Sequence, residues 1–428
     1  MKIAVIALGK IGLPLAVQFA IKGHRVFGAD IDTKAVGDIN NGTEPFPGEY
    51  QLQARLQDVV AQGLLTATTD TTAAVRSAEV VVVVVPLFVD ANGVPDFRAM
   101  DSATQAIGRG LRSGTLVSYE TTLPVGTTRN RFAPLLESTS GLRAGIDFHL
   151  AFSPERVLTG RVFADLRRYP KLVGGFTPAC GEFAQRFYET VLDFDSRPEL
   201  SQPNGVWNLG SCEASEMAKL AETTYRDVNI GLANQFAKFA SANNIDIYKV
   251  IEACNSQPYS HIHQPGIAVG GHCIPIYPQM YLWNDPDATI VRAAREANWS
   301  MPEHAIDVLE RAHGTIAGQR VVVLGASYRG GVKETAFSGV FAVVDELKKR
   351  NARVSVHDPM FTDDEIQRLG FIPFSRGGLA DAAVLQADHT EYSAWGPEDL
   401  PGVRTMLNGR RFNLPILVDH CRMVYLDG

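Results

Sequence analysis

Apolar residues run without a polar break through IAVIAL at residues 3–8 and the valine run at 80–85, and with a single serine through LVSY at 116–119. Between these runs the apolar positions recur at spacings of three and four, as in residues 13–22 and 100–111. A strand that is apolar at every position is buried on both faces, so residues 1 to about 145 predict a parallel sheet covered by helices. HRVFGAD supplies a further strand of this kind, and HLAFSPE and KLVGGF extend the pattern to about residue 200, where RPELSQPNG breaks it. From residue 211 a helix of some thirty residues is predicted, because Met217, Leu220, Ala221, Thr224, Val228, Leu232, Phe236 and Phe239 keep helical spacing with no internal proline. A shorter helix near 247–253 precedes the loop QPYSHIHQPGIAVGGHCIPIYP. Beyond residue 305 the alternation resumes with RVVVLG, a helix near 338–350, and then ARVSVHDP, DAAVLQA and PILVDH as strands. The fold class is therefore α/β: two Rossmann-like doubly wound domains, 1–200 and 304–428, joined by a central helical domain, 201–303, with a long spine helix.

Composition narrows the function classes. The chain has 428 residues, 45% hydrophobic and 20% charged, which is ordinary globular usage for more than one domain. Its net charge is −7 and no dense basic run occurs, so the footprint of a nucleic-acid binder is missing. The five cysteines are scattered without a CxxC pair, which argues against a disulfide framework or zinc ribbon and fits a reducing cytoplasm. The opening MKIAVIALGKIGLPLAVQFA has some signal-peptide character, but Lys10 and two glycines interrupt its apolar core. No apolar block approaches the ~20 residues that span a bilayer.

Two local patterns carry chemistry. Residues 7–12 read Ala-Leu-Gly-Lys-Ile-Gly between a strand and a helix, and Asp30 ends the next strand. A dinucleotide site needs a tight turn, close backbone approach to a pyrophosphate, helix N-terminal N–H groups and an acid for the ribose hydroxyls. Gly9, Gly12 and Asp30 supply those parts, and an acid at position 30 favours NAD over NADP. Ala7 stands where the fingerprint has its first glycine, which is tolerated at negative φ and otherwise shifts the turn. In the second pattern, GGHCIP at 270–275, Cys273 follows two glycines and His272. It reads either as a buried inert cysteine or as a thiol held by backbone N–H groups and an imidazole that favour the thiolate. Lys219 lies one helical turn before Thr223 on the long helix, and by itself it reads as a solvated surface lysine.

Together these motifs resemble the UDP-glucose/GDP-mannose dehydrogenase family over nearly the whole chain. The resemblance rests on ALGKIGLP, ETTLPVGTT, FSPERVLTG, EMAKLAETTYRDVN, GGHCIP and LGASYRGGVKETAFSG, in that order. SPERVL and the helix motif look more like the UDP-N-acetylglucosamine and UDP-N-acetylmannosamine dehydrogenase branch. The resemblance implies a two-step, NAD-dependent oxidation of a sugar C6 alcohol to a carboxylate. Cys273 matches the nucleophile that holds the intermediate aldehyde as a thiohemiacetal and then a thioester. Lys219 matches the group that deprotonates the alcohol and faces the oxyanion. Glu155 and Thr122 match the pair that positions water, with Glu155 as the base for thioester hydrolysis. The implied cofactor contacts are Gly9, Lys10, Ile11, Gly12, Asp30, Pro86 and Thr122. The implied substrate contacts are Gly270, Gly271, Tyr277, Tyr328 and Arg329, the last suited to a diphosphate. Lys333 is a further nucleotide candidate, and Asp419 and Arg422 match another contact motif only loosely. A cytoplasmic homodimer built on the long helix, acting on a UDP-sugar without nucleic acid, membrane or metal, completes the expectation.

Two positions depart from the family pattern. Thr223 replaces an asparagine, and a hydroxyl lacks the amide's reach and second donor. Tyr277 replaces an aspartate, and a phenol stays neutral at pH 7, so no negative charge supports a nearby ammonium. A changed or lost second oxidation, a UDP-glucose substrate, a simpler hydroxyacid dehydrogenase and a non-catalytic nucleotide-binding protein are the alternatives. A metal centre from His261, His263, His272 and Cys273 is a further one, set against the lack of a carboxylate cluster around it.

Overall fold

The computed structural model describes residues 1–90 and 92–428. The chain divides into two compact units, residues 1–222 with 279–284, and residues 223–278 with 285–428. In the first, eight strands form one sheet: β1 (Lys2–Ile6), β2 (Arg25–Ala29), β3 (Leu65–Thr68), β4 (Val80–Val83), β5 (Leu116–Tyr119), β6 (His149–Phe152), β7 (Lys171–Gly175) and β8 (Val206–Ser211), in the order β8-β7-β6-β5-β4-β1-β2-β3. All four residues of β4 and of β5 are buried, as expected for strands covered on both faces. Ile3, Val5, Val80, Val82 and Leu116 pack with Leu13, Ala16, Val17 and Phe19 of helix α1 (Gly12–Ile21) and with Phe187 and Tyr188 of helix α2 (Pro178–Val191) in one core.

The sheet departs from the fully parallel expectation at one pair. β6 and β7 run antiparallel, with Ala151 opposite Gly175 and Phe152 opposite Gly174. The reason is the connection: the short helix Val162–Arg168 leads straight into β7, which returns alongside β6. Strands β3 and β8 were also not foreseen, because LTAT and VWNLGS carry polar or exposed residues and lack an apolar run.

The second unit holds a five-stranded sheet, all parallel: β9 (Arg320–Leu324), β10 (Arg353–His357), β11 (Ala382–Leu385), β12 (Thr405–Asn408) and β13 (Arg422–Val424), in the order β10-β9-β11-β12-β13. PILVDH is not a strand. Ile416 and Val418 are exposed and only Leu417 is buried, so one apolar anchor is met by a short 3-10 turn, Leu417–Asp419, while β12 and β13 complete the sheet. The two Rossmann-like α/β domains thus accompany a helical middle that begins with α3 (Cys212–Asn243), the long helix.

Within the second unit a buried polar knot ties α3 to the helix Thr289–Trp299. Arg295 Nη1 lies 2.7 Å from Asp227 Oδ1, Asn298 Nδ2 donates to the same oxygen at 2.8 Å, and Asn234 Nδ2 donates to Asn298 Oδ1 at 2.8 Å. Asp227 and Arg295 have side-chain exposures of 0% and 2%, and burial lifts the Asp227 carboxyl to about 6 although Arg295 opposes it. Removing one member of a buried pair strands the other charge. We predict that Arg295→Met lowers the unfolding free energy by about 3–5 kcal/mol. Urea titration checks it, and an unchanged midpoint would contradict the account.

Candidate functional site

The turn between β1 and α1 is built on one close approach. A Cβ on Gly12 would stand 1.9 Å from the Ala7 carbonyl oxygen, so only glycine lets the helix start this near the strand end. Ala7 itself sits at φ 74°, in the left-handed region, so the turn keeps the geometry of a glycine with an alanine in it. Its N–H donates to Ala29 O at 2.8 Å, and Asp30 Oδ2 accepts from Leu8 N at 2.7 Å, so the end of β2 fixes the turn. Gly9 is different: a Cβ there would meet nothing within 4 Å. The space over Gly9, the uncapped N-terminus of α1 and the carboxylate of Asp30 fit a dinucleotide, whose pyrophosphate needs that opening and those N–H groups. Lys10 is exposed and Ile11 half-buried in the same turn. Pro86 is exposed just beyond β4, next to Val85, whose carbonyl accepts from Thr121 Oγ1 at 2.6 Å.

Thr122 is buried beyond the end of β5. Glu155 lies beyond β6 with its side chain 10% exposed, and its Oε2 is 2.8 Å from Lys171 Nζ. Its Oε1 accepts from Arg156 N at 2.8 Å. Burial alone would raise the Glu155 carboxyl, but the Lys171 ammonium outweighs it and holds the group below its ordinary value. Lys219 belongs to the same unit and is buried, with relative exposure 7%, which corrects the reading of a solvated surface lysine. Its helix turns it inward along with Leu220 and Glu216.

The second unit collects the remaining candidates. Thr223 is buried on α3. Cys273 is exposed, so it is not the inert buried cysteine of the alternative reading. Its carbonyl accepts from Ile276 N and Tyr277 N, and its Sγ lies 3.8 Å from Tyr277 Oη. The two glycines before it serve packing: a Cβ on Gly270 would lie 2.6 Å from Tyr328 Cβ, and Gly271, at φ 91°, has Tyr328 Cε2 at 3.1 Å from its Cβ position. Gly270, Gly271 and Tyr328 therefore form one contact, with the Arg329 guanidinium carbon 5.7 Å from the Tyr328 ring centre. Arg410, which sequence reasoning missed, pins this contact by donating to Tyr328 O at 3.0 Å and Gln386 O at 2.7 Å. The signal for it was absent because its partners are carbonyls. Lys333 is paired with Glu365 at 2.7 Å, and Arg422 donates to Ala312 O. His272 Nε2 faces Glu334 at 3.3 Å. Among the described residues, no group of three or more His, Cys, Asp or Glu side chains could hold a metal ion, and no helix is long and apolar enough to cross a membrane.

A glycine turn closed by an acid at the end of β2, together with a second Rossmann-like domain, is the build of a dinucleotide-linked dehydrogenase. Comparison with known proteins sharpens the class. Residues 1–192 match the NAD binding domain of the UDP-glucose/GDP-mannose dehydrogenase family, residues 213–300 its central domain and residues 322–421 its UDP binding domain. The UDP-N-acetyl-D-mannosamine dehydrogenase of Pyrococcus horikoshii is 34% identical over 401 residues, 92% of this chain and 91% of that protein. The UDP-N-acetyl-D-glucosamine 6-dehydrogenase of Salmonella typhi is 28% identical over 94% of this chain and 93% of its own length. The solved structure of the P. horikoshii UDP-D-ManNAc dehydrogenase superposes with TM-score 0.86 at 30% identity, covering 100% of this chain and 99% of that one. A UDP-N-acetyl-mannosamine dehydrogenase structure from S. aureus gives 0.83 at 28% identity, covering 99% and 98%. The chain belongs to the UDP-glucose/GDP-mannose dehydrogenase family, and it groups there with the UDP-N-acetylhexosamine dehydrogenases. It is by that membership an NAD-linked oxidoreductase.

The two glycines of the turn separate binding from folding. Gly9→Ala is expected to leave the melting temperature within a degree or so while weakening NAD binding at least about tenfold, since its methyl enters only the open space. Gly12→Ala is expected to lower the melting temperature through the backbone clash. Ala7→Gly should raise stability by about 1 kcal/mol by relieving the left-handed alanine. Calorimetric NAD titration and thermal melts distinguish the three, and equal thermal effects of the two alanines would refute the division.

Proposed function

We propose that this chain oxidises the C6 alcohol of a UDP-N-acetylhexosamine to the uronic acid in two NAD-dependent steps through a Cys273 thioester. The observation that carries the reading is the exposed thiol of Cys273 at the start of a helical turn, with a phenol beside it and a glycine-packed loop before it. NAD, when bound, accepts a hydride from the sugar carbon in each step. Gly9, Gly12, Lys10, Ile11, Asp30, Pro86 and Thr122 would hold it.

Lys219 takes the proton of the C6 hydroxyl and then faces the oxyanion from its buried position on α3. Thr223, one turn on, donates one hydrogen bond to the same oxyanion. The Cys273 thiolate adds to the aldehyde carbon, giving a thiohemiacetal that again has a hydride to transfer. The resulting thioester is opened by a water that Thr122 orients and Glu155 deprotonates, and the C–S bond breaks to return the thiolate. Tyr277 takes the place of the carboxylate usual at its position and interacts with the sulfur. Tyr328, Arg329, Gly270 and Gly271 contact the nucleotide sugar, with Arg329 on the diphosphate. The similarity to dehydrogenases acting on UDP-N-acetylmannosamine and UDP-N-acetylglucosamine supports the acetamido sugar.

Assembly as a cytoplasmic homodimer on the long helix is part of the proposal. Leu232, Phe236 and Phe239 recur at helical spacing on α3 and are exposed, which supports a second copy against that face. All five cysteines are free, which fits a reducing compartment.

Product stoichiometry tests the scheme. UDP-N-acetylmannosamine, UDP-N-acetylglucosamine, UDP-glucose and GDP-mannose are each incubated with excess NAD, and the expected result is two NADH per acetamido sugar consumed. Cys273→Ser is expected to abolish uronate formation. A ratio of one, or full turnover in the serine variant, would sink the thioester route.

A further inference from the structure

A buried triad stands at one edge of the first sheet. Lys171 Nζ lies 2.7 Å from Glu120 Oε2 and 2.8 Å from Glu155 Oε2, and the side chains of Lys171 and Glu120 are 4% and 0% exposed. Tyr188 of α2 donates to Glu120 Oε1 at 2.6 Å, and its hydroxyl also lies 2.8 Å from Ser118 Oγ. With both carboxylates ionised, the triad would hold one uncompensated buried negative charge, which costs several kcal/mol. A proton shared by the two carboxyls removes that excess charge.

The hydrogen bonds choose between the two. Glu155 Oε1 is bonded to Arg156 N, a donor that cannot reverse, so Glu155 is best served as a carboxylate. Glu120 Oε1 faces the Tyr188 hydroxyl, which can turn its proton toward Ser118 Oγ and accept instead. The other charged groups nearby are engaged elsewhere. The Arg156 guanidinium is held by Glu222 at 2.8 Å, and Asp165 by Arg161 at 2.8 Å. A cavity of about 10 Å³, room for about one water, lies beside Glu155, Tyr169 and Lys171.

We propose that Lys171 and Glu120 are positioning residues for Glu155: Glu120 carries the shared proton and Lys171 keeps Glu155 an empty proton acceptor. The proposal rests on the reading of Glu155 as the group that deprotonates the hydrolytic water. In that step the water O–H bond breaks, its proton goes to Glu155, its oxygen bonds the thioester carbon, and Cys273 leaves as thiolate. The electrostatics agree in direction. Burial lifts Glu120 to about 7, with the Glu155 charge adding to the rise and Lys171 opposing it, while Glu155 is held low.

The test follows the carboxyls directly in the unliganded full chain, by carbon-13 NMR of glutamate-labelled protein assigned with Glu120→Gln and Glu155→Gln. In wild type, Glu120 is expected to titrate near neutral pH while Glu155 stays ionised from about pH 5 to 9. In Lys171→Met the Glu155 titration should move up by roughly one to three pH units, and Lys171→Arg should restore it. In Glu120→Gln the neutral-range titration should vanish from the spectrum and from the pH profile of NADH release. Titration of Glu155 near neutral pH in wild type, with Glu120 ionised throughout, would overturn the proposal. The near-isosteric glutamine variant keeps the test decisive if the methionine variant does not fold. Failure of every nucleotide sugar to yield NADH would instead reject the functional reading, since the NMR result does not depend on turnover.

Discussion

Parallel hydrogen bonding forces the carboxyl ends of neighbouring strands onto one edge of a sheet, and the candidate chemistry of the first unit follows from that. Gly9 lies beyond β1, Asp30 beyond β2, Pro86 beyond β4, Glu120 and Thr122 beyond β5, and Glu155 beyond β6. Lys171 is the instructive exception, because it begins a strand rather than ending one. The antiparallel return of β7 brings its first residue to the edge where the others end: counting on from Phe152 opposite Gly174 sets Glu155 opposite Lys171. The reversal at β7, whose direction β8 then shares, is what gives two buried acids their cation.

That reversal also marks where the sequence could be read and where it could not. Apolar runs, unbroken in β1 and β4 and with one serine in β5, announced those strands, and the spacing of Gly9, Gly12 and Asp30 announced the turn, because each is a local pattern with one physical cause. Lys171 and Glu120 are 51 residues apart, and nothing local links a lysine that begins one strand to an acid after another. Asp227 and Arg295 were hidden for the same reason, being 68 positions apart. By itself Lys219 reads as solvated because a charged residue on an amphipathic helix ordinarily marks the wet face, whereas the helix buries it. The misassigned PILVDH shows the converse error, where apolar composition without alternation of burial suggested a strand that β12 and β13 supply instead.

The second Rossmann-like domain repeats the build of the first with a different outcome. After β9, Gly325 turns at φ 104°, and Asp358 follows β10 as Asp30 follows β2. Asp358 Oδ2, however, accepts from Ala326 N, Ser327 N and Ser327 Oγ and faces His389 Nε2 at 3.1 Å. Both acids brace their turns, Asp30 through Leu8 N and Asp32 N, but Asp358 is buried whereas Asp30 stays half-buried. The same strand–turn–helix frame ends in a half-buried acid in one copy and a fully buried one in the other.

The glycine turn holds its two glycines for unrelated reasons, one bordering open space and the other facing the Ala7 carbonyl. Over generations these constraints would part company. In a descendant that had ceased to bind dinucleotide, position 9 would drift freely while position 12 stayed glycine for as long as the domain folded. Loss of the cofactor would thus leave a mark in sequence before it left one in shape.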